Sequence, residues 1–265
     1  MLVNNVTVCL DISSCTRNCP YCISKMTPKI NTIKRELEYE DVKLGISWGI
    51  HHGASSLLIT SRGEPTINPD KIMRVLRLSN DIPSELQTNG DFSIELLDEF
   101  KNGGLRVLAV SVDSRQQVKS QEDLYRKAND LGIVVRWTVC LHDVTMIWSI
   151  DDWIHEANKY KVQQLSFRRL RWPRGKETSD PAIWIRNNTH REKDWLKDSE
   201  RVMKSFPVIR SLDFGIKILD AAGVSLTYFP DCVQEESGED SVRSLIIRED
   251  GHAYTSWSSL ASILF

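Results

Sequence analysis

The 265-residue sequence predicts an α/β protein built on a parallel sheet, with a small C-terminal helix and β-hairpin extension. Three observations predict it. Between residues 6 and 170, short apolar runs alternate six times with segments of helical apolar spacing, the pattern of βα units joined by right-handed crossovers. Residues able to do chemistry cluster where those runs end, which is where barrel enzymes place their sites. Beyond residue 170 the alternation stops, and Asp250-Gly251 between two apolar stretches signals a hairpin. The expected division is a core over residues 1–178 and an extension over 179–265 that flanks or closes it.

Composition narrows the class. With 41% hydrophobic and 26% charged residues, the chain has the make-up of a globular protein with a sizeable core. A net charge of −2 excludes a generally basic nucleic-acid-binding surface but leaves room for a local patch. No apolar stretch has the length of a membrane-spanning helix, and the start, Met1 to Val8, lacks a basic n-region, so no membrane partner is expected. Six cysteines without a secretion signal point to a reducing compartment, the cytoplasm.

Val6 to Ile12 reads as the first strand, with Cys9 packed inside it. It delivers Cys15-Thr-Arg-Asn-Cys19-Pro-Tyr-Cys22, three thiols spaced C-x3-C-x2-C. Three thiolates fall one short of a structural zinc site, whereas a [4Fe-4S] cluster on three thiolates keeps one iron open for a ligand. Ser24 to Arg35, rich in Lys, is an exposed loop, either simply solvated or a substrate clamp. A helix follows over Leu37 to His52, where His51 and His52 suit the negative end of the dipole. The second strand, Ser55 to Thr60, runs into Ser61-Arg62-Gly63-Glu64-Pro65, where glycine permits close backbone approach and a carboxylate can accept from an ammonium.

Asn68 caps a helix over residues 68–78 with Pro69 at its first position. The third strand, Ser84 to Thr88, ends in Thr88-Asn89-Gly90, and a helix over Ser93 to Lys101 stops at Gly103-Gly104. At the end of the fourth strand, Leu105 to Val112, Ser111 and Asp113 share a face and either bind a ligand or cap the next helix. After a helix over Glu122 to Leu131, the fifth strand, Ile133 to Val139, carries Arg136, which needs an anion, from a ligand or from the fold itself. Cys140 and His142 beyond it read as packing and loop polarity. Asp151 is the expected cap of a helix reaching Tyr160.

The sixth strand, Val162 to Leu170, leads into Arg168, Arg169, Arg171, Trp172, Arg174 and Lys176, five cations in nine residues. Such a cluster either grips phosphate, with Trp172 stacked on a base, or pairs with acids of the fold. In the extension, Ser179 to Ile185 reads as a linker, Arg191 to Phe206 and Leu212 to Ala222 as helices, Val224 to Phe229 as a strand, and Gln234 to Asp240 as an acidic loop. His252, Tyr254 and Trp257 in the hairpin either line a pocket or pack on the core.

On the C-x3-C-x2-C spacing with Tyr21 before the third cysteine, on Gly63-Glu64-Pro65 and on Thr88-Asn89-Gly90, each in order at a strand end, the chain resembles the radical S-adenosylmethionine (SAM) superfamily. The resemblance implies a partial (β/α)6 TIM barrel with one [4Fe-4S] cluster on Cys15, Cys19 and Cys22. It implies SAM at the open iron, reductively cleaved to a 5′-deoxyadenosyl radical that abstracts hydrogen from a substrate. Tyr21 would lie beside the adenine, Gly63 and Glu64 near the SAM amino group with Thr88 and Asn89 at the next strand end, and Ser111, Asp113 and Arg136 around the ribose and carboxylate. An electron donor such as flavodoxin or ferredoxin would be a partner. The chain departs from the family at Arg62, where many members carry a first glycine.

The tail resembles the Asp-Gly hairpin of peptide-modifying members, in which flanking cysteines hold auxiliary clusters. Here Ser256 stands where a cysteine is expected, so a single cluster is implied. For the substrate, Arg168, Arg169, Arg171 and Trp172 favour a small nucleotide-like or phosphate-bearing molecule, and the hairpin with His252 and Tyr254 a peptide. Two rivals remain: a zinc-binding module with Cys232 or His252 as fourth ligand, and a member that binds SAM without cleaving it.

Overall fold

The computed structural model describes residues 1–29, 37–79, 82–212, 215–231 and 240–265. Its elements run β1 (Leu2–Leu10), α1 (Tyr39–His51), β2 (Leu57–Ser61), α2 (Pro69–Leu78), β3 (Ser84–Thr88), α3 (Leu96–Asn102) and β4 (Leu105–Val112). They continue through α4 (Arg115–Ser120), α5 (Glu122–Asp130), β5 (Val134–Leu141), α6 (Ile150–Lys159), β6 (Gln164–Arg169), α7 (Asp180–Asn187) and α8 (Glu192–Met203). Five strands follow, β7 (Val208–Ser211), β8 (Lys217–Ala221), β9 (Val224–Phe229), β10 (Ser241–Ile247) and β11 (Ala253–Tyr254). The six expected βα units are all present. The chain divides into two compact units, one of Met1–Asn18, Thr27–Leu108 and Glu235–Phe265, the other of Cys19–Met26 and Ala109–Gln234.

In the first unit the strands lie in the order β11-β10-β1-β2-β3. β10, β1, β2 and β3 are parallel, and β11 returns antiparallel to β10. β1 is buried from Val6 to Leu10 because sheet neighbours flank it and helices cover it, which explains its unbroken apolar run. Helix α1 lies close on this sheet: a Cβ on Gly49 would stand 2.3 Å from the Val6 side chain. The Asp250-Gly251 turn forms as expected, with Gly251 at a φ of 85° that side chains rarely adopt.

In the second unit the order is β5-β6-β9-β8-β7, parallel from β5 to β9 and antiparallel thereafter. β5 and β6 turn Trp137 and Phe167 toward the helices, where they meet Tyr125, Tyr160, Trp153 and Trp195 in an edge-on aromatic layer. Each order has a free outer end, at β11 in the first unit and at β7 in the second.

Several expectations change. The stretch Ser179 to Ile185, read as a linker, is instead the cap and first six residues of α7, with the Ser179 side chain capping Ala182 N–H and proline in its first turn. The stretch 212–222, read as a helix, contains β8, which turns into β9 through Ala222 and Gly223, both at positive φ, the geometry of a two-residue hairpin. β7 went unanticipated because its four exposed residues lack a buried face. The cap of α6 lies two residues before the expected Asp151: it is Ser149, in a reciprocal box with Asp152. Residues 30–35 of the lysine-rich loop, Cys232, and residues 234–239 of the acidic loop lie outside the described residues.

Candidate functional site

In the first unit, the loops leaving β1, β2 and β3 are fastened to one another by groups that leave little freedom. Gly63 N–H donates to Ile12 O at 2.9 Å and Glu64 N–H to Ser14 O at 2.8 Å. A Cβ on Gly63 would stand 1.9 Å from Ser14 O, so only glycine fits against the start of the cysteine loop. Glu64, 2% exposed, was expected to receive an ammonium, but the fold uses both its oxygens. Oε1 accepts from Thr88 Oγ1 at 2.7 Å and Thr66 Oγ1 at 2.8 Å, and Oε2 from Asn89 N–H at 2.8 Å. Glu64 therefore braces the second and third strand ends.

That brace aims Asn89, whose Nδ2 donates to Thr16 Oγ1 at 2.9 Å and lies 3.9 Å from Cys15 Sγ. Arg17 N–H donates to the same sulfur at 3.4 Å. N–H donors on a sulfur tune a cluster bound to it. Thr88, besides meeting Glu64, accepts from Gly90 N–H at 3.0 Å and holds the Thr-Asn-Gly turn.

The departure at Arg62 has a local reason. Its guanidinium reaches Thr27 Oγ1 at 3.2 Å and Pro28 O at 3.0 Å, and Arg248 Nη2 donates to the same Pro28 oxygen at 2.9 Å. Glu249 lies 3.9 Å from Arg62 and 3.7 Å from Arg248. Beneath them burial pushes the Cys9 thiol well above its ordinary range. Tyr254 stacks under Arg248 and donates to Asp250 at 2.7 Å, and burial with that bond raises its pKa to about 12. It staples the hairpin, while His252 is exposed.

In the second unit, Cys22 N–H donates to Cys19 O at 3.2 Å and Lys25 Nζ to the same oxygen at 2.8 Å, folding the segment into a tight turn. The Tyr21 hydroxyl donates to Asp113 Oδ1. Burial, with Cys140 and Asp113 beside it, raises the Tyr21 pKa far above normal, so the phenol stays protonated. Its ring lies 5.2 Å from Trp184 and 5.5 Å from His142. Tyr21 and Asp113 are thus brought together as two of the expected ligand residues. Gln117 fixes their support by accepting from Asp113 N–H at 2.9 Å and donating to Ser111 O.

Other expected residues are placed differently. Arg136 is the third residue of β5, away from its carboxyl end, and donates to Gln164 at 2.7 Å across the sheet. Arg169 grips Glu192 through two bonds of 2.6 and 2.8 Å, and Arg171 reaches the same carboxylate at 3.2 Å. Trp172 lies under Arg186 and against the buried cluster of Met26, Leu170, Ala182 and Ile185. These three serve the packing of α7 and α8. His142, read as loop polarity, is instead buried between Tyr21 and Trp184, and burial lowers its pKa. The sequence signal was its place two residues after Cys140, on the same face as Thr138.

The five described cysteines are free thiols, Cys15 exposed and Cys19 and Cys22 half-buried. Among the described residues no three His, Cys, Asp or Glu side chains already converge as a metal site. The chemistry of the donor set, reduced thiols within eight residues with N–H groups on one sulfur, fits an iron–sulfur cluster.

Residues 11–137 match the family model described as the radical SAM superfamily. Among curated proteins it is similar to GTP 3′,8-cyclase of Campylobacter jejuni subsp. jejuni serotype O:6 (strain 81116 / NCTC 11828), 27% identical over 110 residues, covering 40% of this chain and 34% of the relative. GTP 3′,8-cyclase of Campylobacter jejuni strain RM1221 is 26% identical over the same shares. The chain spans about a third of the length of these relatives. In fold it is similar to Streptococcus suis SuiB bound to S-adenosylmethionine, with a TM-score of 0.62 and 12% identity over 98% of this chain and 61% of that one. SuiB bound to the precursor peptide SuiA gives 0.60 and 12% over 95% and 59%.

Proposed function

We propose that the chain is a radical SAM enzyme that holds one [4Fe-4S] cluster on Cys15, Cys19 and Cys22 and acts on a nucleotide-like or phosphate-bearing small molecule. The observation that carries the reading is the locking of Gly63 against Ser14, with Asn89 and Arg17 N–H groups directed at Cys15 Sγ. When bound, cluster and SAM supply a 5′-deoxyadenosyl radical; the chain's own task is to bind, orient and exclude water. Gly63 keeps the second loop's backbone close to the cysteine loop. Glu64 holds Thr88 and Asn89 in place without spending its charge on a ligand. Asp113 fixes the Tyr21 ring, and Tyr21, His142 and Trp184 present faces and edges to a flat group.

The nucleotide-like substrate is supported by the sequence similarity to GTP 3′,8-cyclases and by Arg168, considered below. A peptide substrate is the second reading, favoured by the Asp250-Gly251 hairpin. The electron would come from a flavodoxin or ferredoxin, and a reducing cytoplasm would keep the thiols available.

Anaerobic reconstitution with iron and sulfide, then dithionite and SAM, tests the proposal by iron content and 5′-deoxyadenosine. About four irons per chain and deoxyadenosine formation, both lost in Cys19→Ala, are the expected result. Tight zinc without iron uptake would overturn it.

A further inference from the structure

Arg168 is unusual among the arginines near the end of β6. Arg169 and Arg171 are engaged by Glu192, whereas Arg168 makes no hydrogen bond and has no carboxylate partner among the described residues. Its Nε is buried and unpartnered, and the guanidinium lies 5.6 Å from the Phe229 ring centroid. A buried guanidinium N–H with no acceptor is costly unless something else supplies one.

It does not stand alone. The parallel register sets Thr138 beside Ser166, Cys140 beside Arg168, and Arg168 beside Phe229. Alternation puts Thr138, Cys140, Ser166, Arg168 and Phe229 on one face, opposite Trp137 and Phe167, which meet the helices. His142 continues that face, since its ring packs on Tyr21, which Cys140 also neighbours. Thr138 Oγ1 and His142 Nε2 are also buried without a hydrogen-bond partner. Three orphaned polar atoms on one face of two adjacent strands are more than packing requires, because buried polar groups are normally paired. Asp113, which lies near His142, already receives the Tyr21 hydroxyl.

We propose that the face of β5, β6 and β9 carrying Thr138, His142 and Arg168 is an oxyanion-bearing substrate site, with Arg168 binding a phosphate and the flanking Thr138 hydroxyl and His142 imidazole binding polar atoms on either side. From Thr138 to His142 the strand advances roughly 13 Å, the span of a phosphorylated small molecule rather than of a bare ion. The aromatic end, at Tyr21, His142 and Trp184, suits a flat group, and Arg168, level with Cys140 midway between Thr138 and His142, suits the phosphate. This assignment rests on the proposed function for its substrate class, and it selects Arg168 from a run of five cations as the one that touches substrate.

The test uses the chain without cluster or SAM, so its outcome is separate from that of SAM cleavage. Inorganic phosphate and acetate are titrated separately and followed by isothermal calorimetry, with 31P line broadening as a second readout for phosphate. Saturable phosphate binding, weakened about tenfold in Arg168→Gln and recovered in part by Arg168→Lys, is the expected result. Thr138→Val, nearly the same shape, should weaken it about threefold, and exposed Arg174→Gln should leave it unchanged. Tighter acetate than phosphate would keep the oxyanion site and make its occupant a carboxylate. No saturable binding of either probe, equal binding by wild type and a folded Arg168→Gln, or equal losses in Arg168→Gln and Arg174→Gln, would overturn the proposal.

Discussion

A single carboxylate decides how the loops of the first unit meet. Glu64 is a buried charge whose desolvation is offset by donors from Thr66, Thr88 and Asn89. Glu64→Gln keeps the shape but turns one oxygen into an NH2 that faces N–H and O–H donors. It should cost about 2–4 kcal/mol in urea denaturation, and a change below about 1 kcal/mol would show that the brace contributes little. From the sequence, Gly63 and Glu64 were legible as a site by motif and position, but the role of Glu64 was not. Whether a carboxylate faces a ligand or four protein donors depends on residues distant in the chain, Thr88 and Asn89, whose approach no local pattern encodes. The same holds for Arg169 and Arg171, whose partner Glu192 lies on a helix of the extension.

Elements that satisfy a local rule were read closely, and those set by tertiary contacts were not. β3 and β4 fall at Ser84–Thr88 and Leu105–Val112 as expected, and Asn68 accepts from Lys71 N–H as the cap of α2. At α6 two acceptable caps stood two residues apart. Ser149 prevailed because Asp152 returns a bond to its backbone N–H at 2.9 Å, a reciprocity Asp151 lacks. Ser149→Ala should therefore cost about 1 kcal/mol by thermal or urea unfolding, and Asp151→Ala should cost clearly less. β8 escaped because Leu212 to Ala222 offers no strict alternation; its pairing with β9 through a positive-φ Ala222 overrides local preference.

For the molecule as a whole, the buried imidazole of His142 ties stability to acidity. Its pKa is held below the ordinary 6.5 by burial, against opposing pulls from Asp113 and Asp143, with Tyr21 and Trp184 packed on the ring. Below about pH 6.5 the unfolded chain takes up a proton that the folded chain resists, so this term lowers stability as the pH falls and is constant above that range. Urea midpoints measured at pH 7.5 and 5 should differ less in His142→Asn than in the wild type. An equal acid-side loss in both would mean that the ring is protonated in the folded protein at little cost.

The parallel pairing of β10 with β1 carries a consequence for how the chain is made. Val6 neighbours Leu245, so one flank of β1 is completed only by a strand that is synthesised much later. Throughout synthesis the nascent polypeptide bears an apolar strand with an unsatisfied edge, a template for wrong partners. Closing so long a loop is entropically slow, and truncation ahead of Ser241 would make that transient exposure permanent.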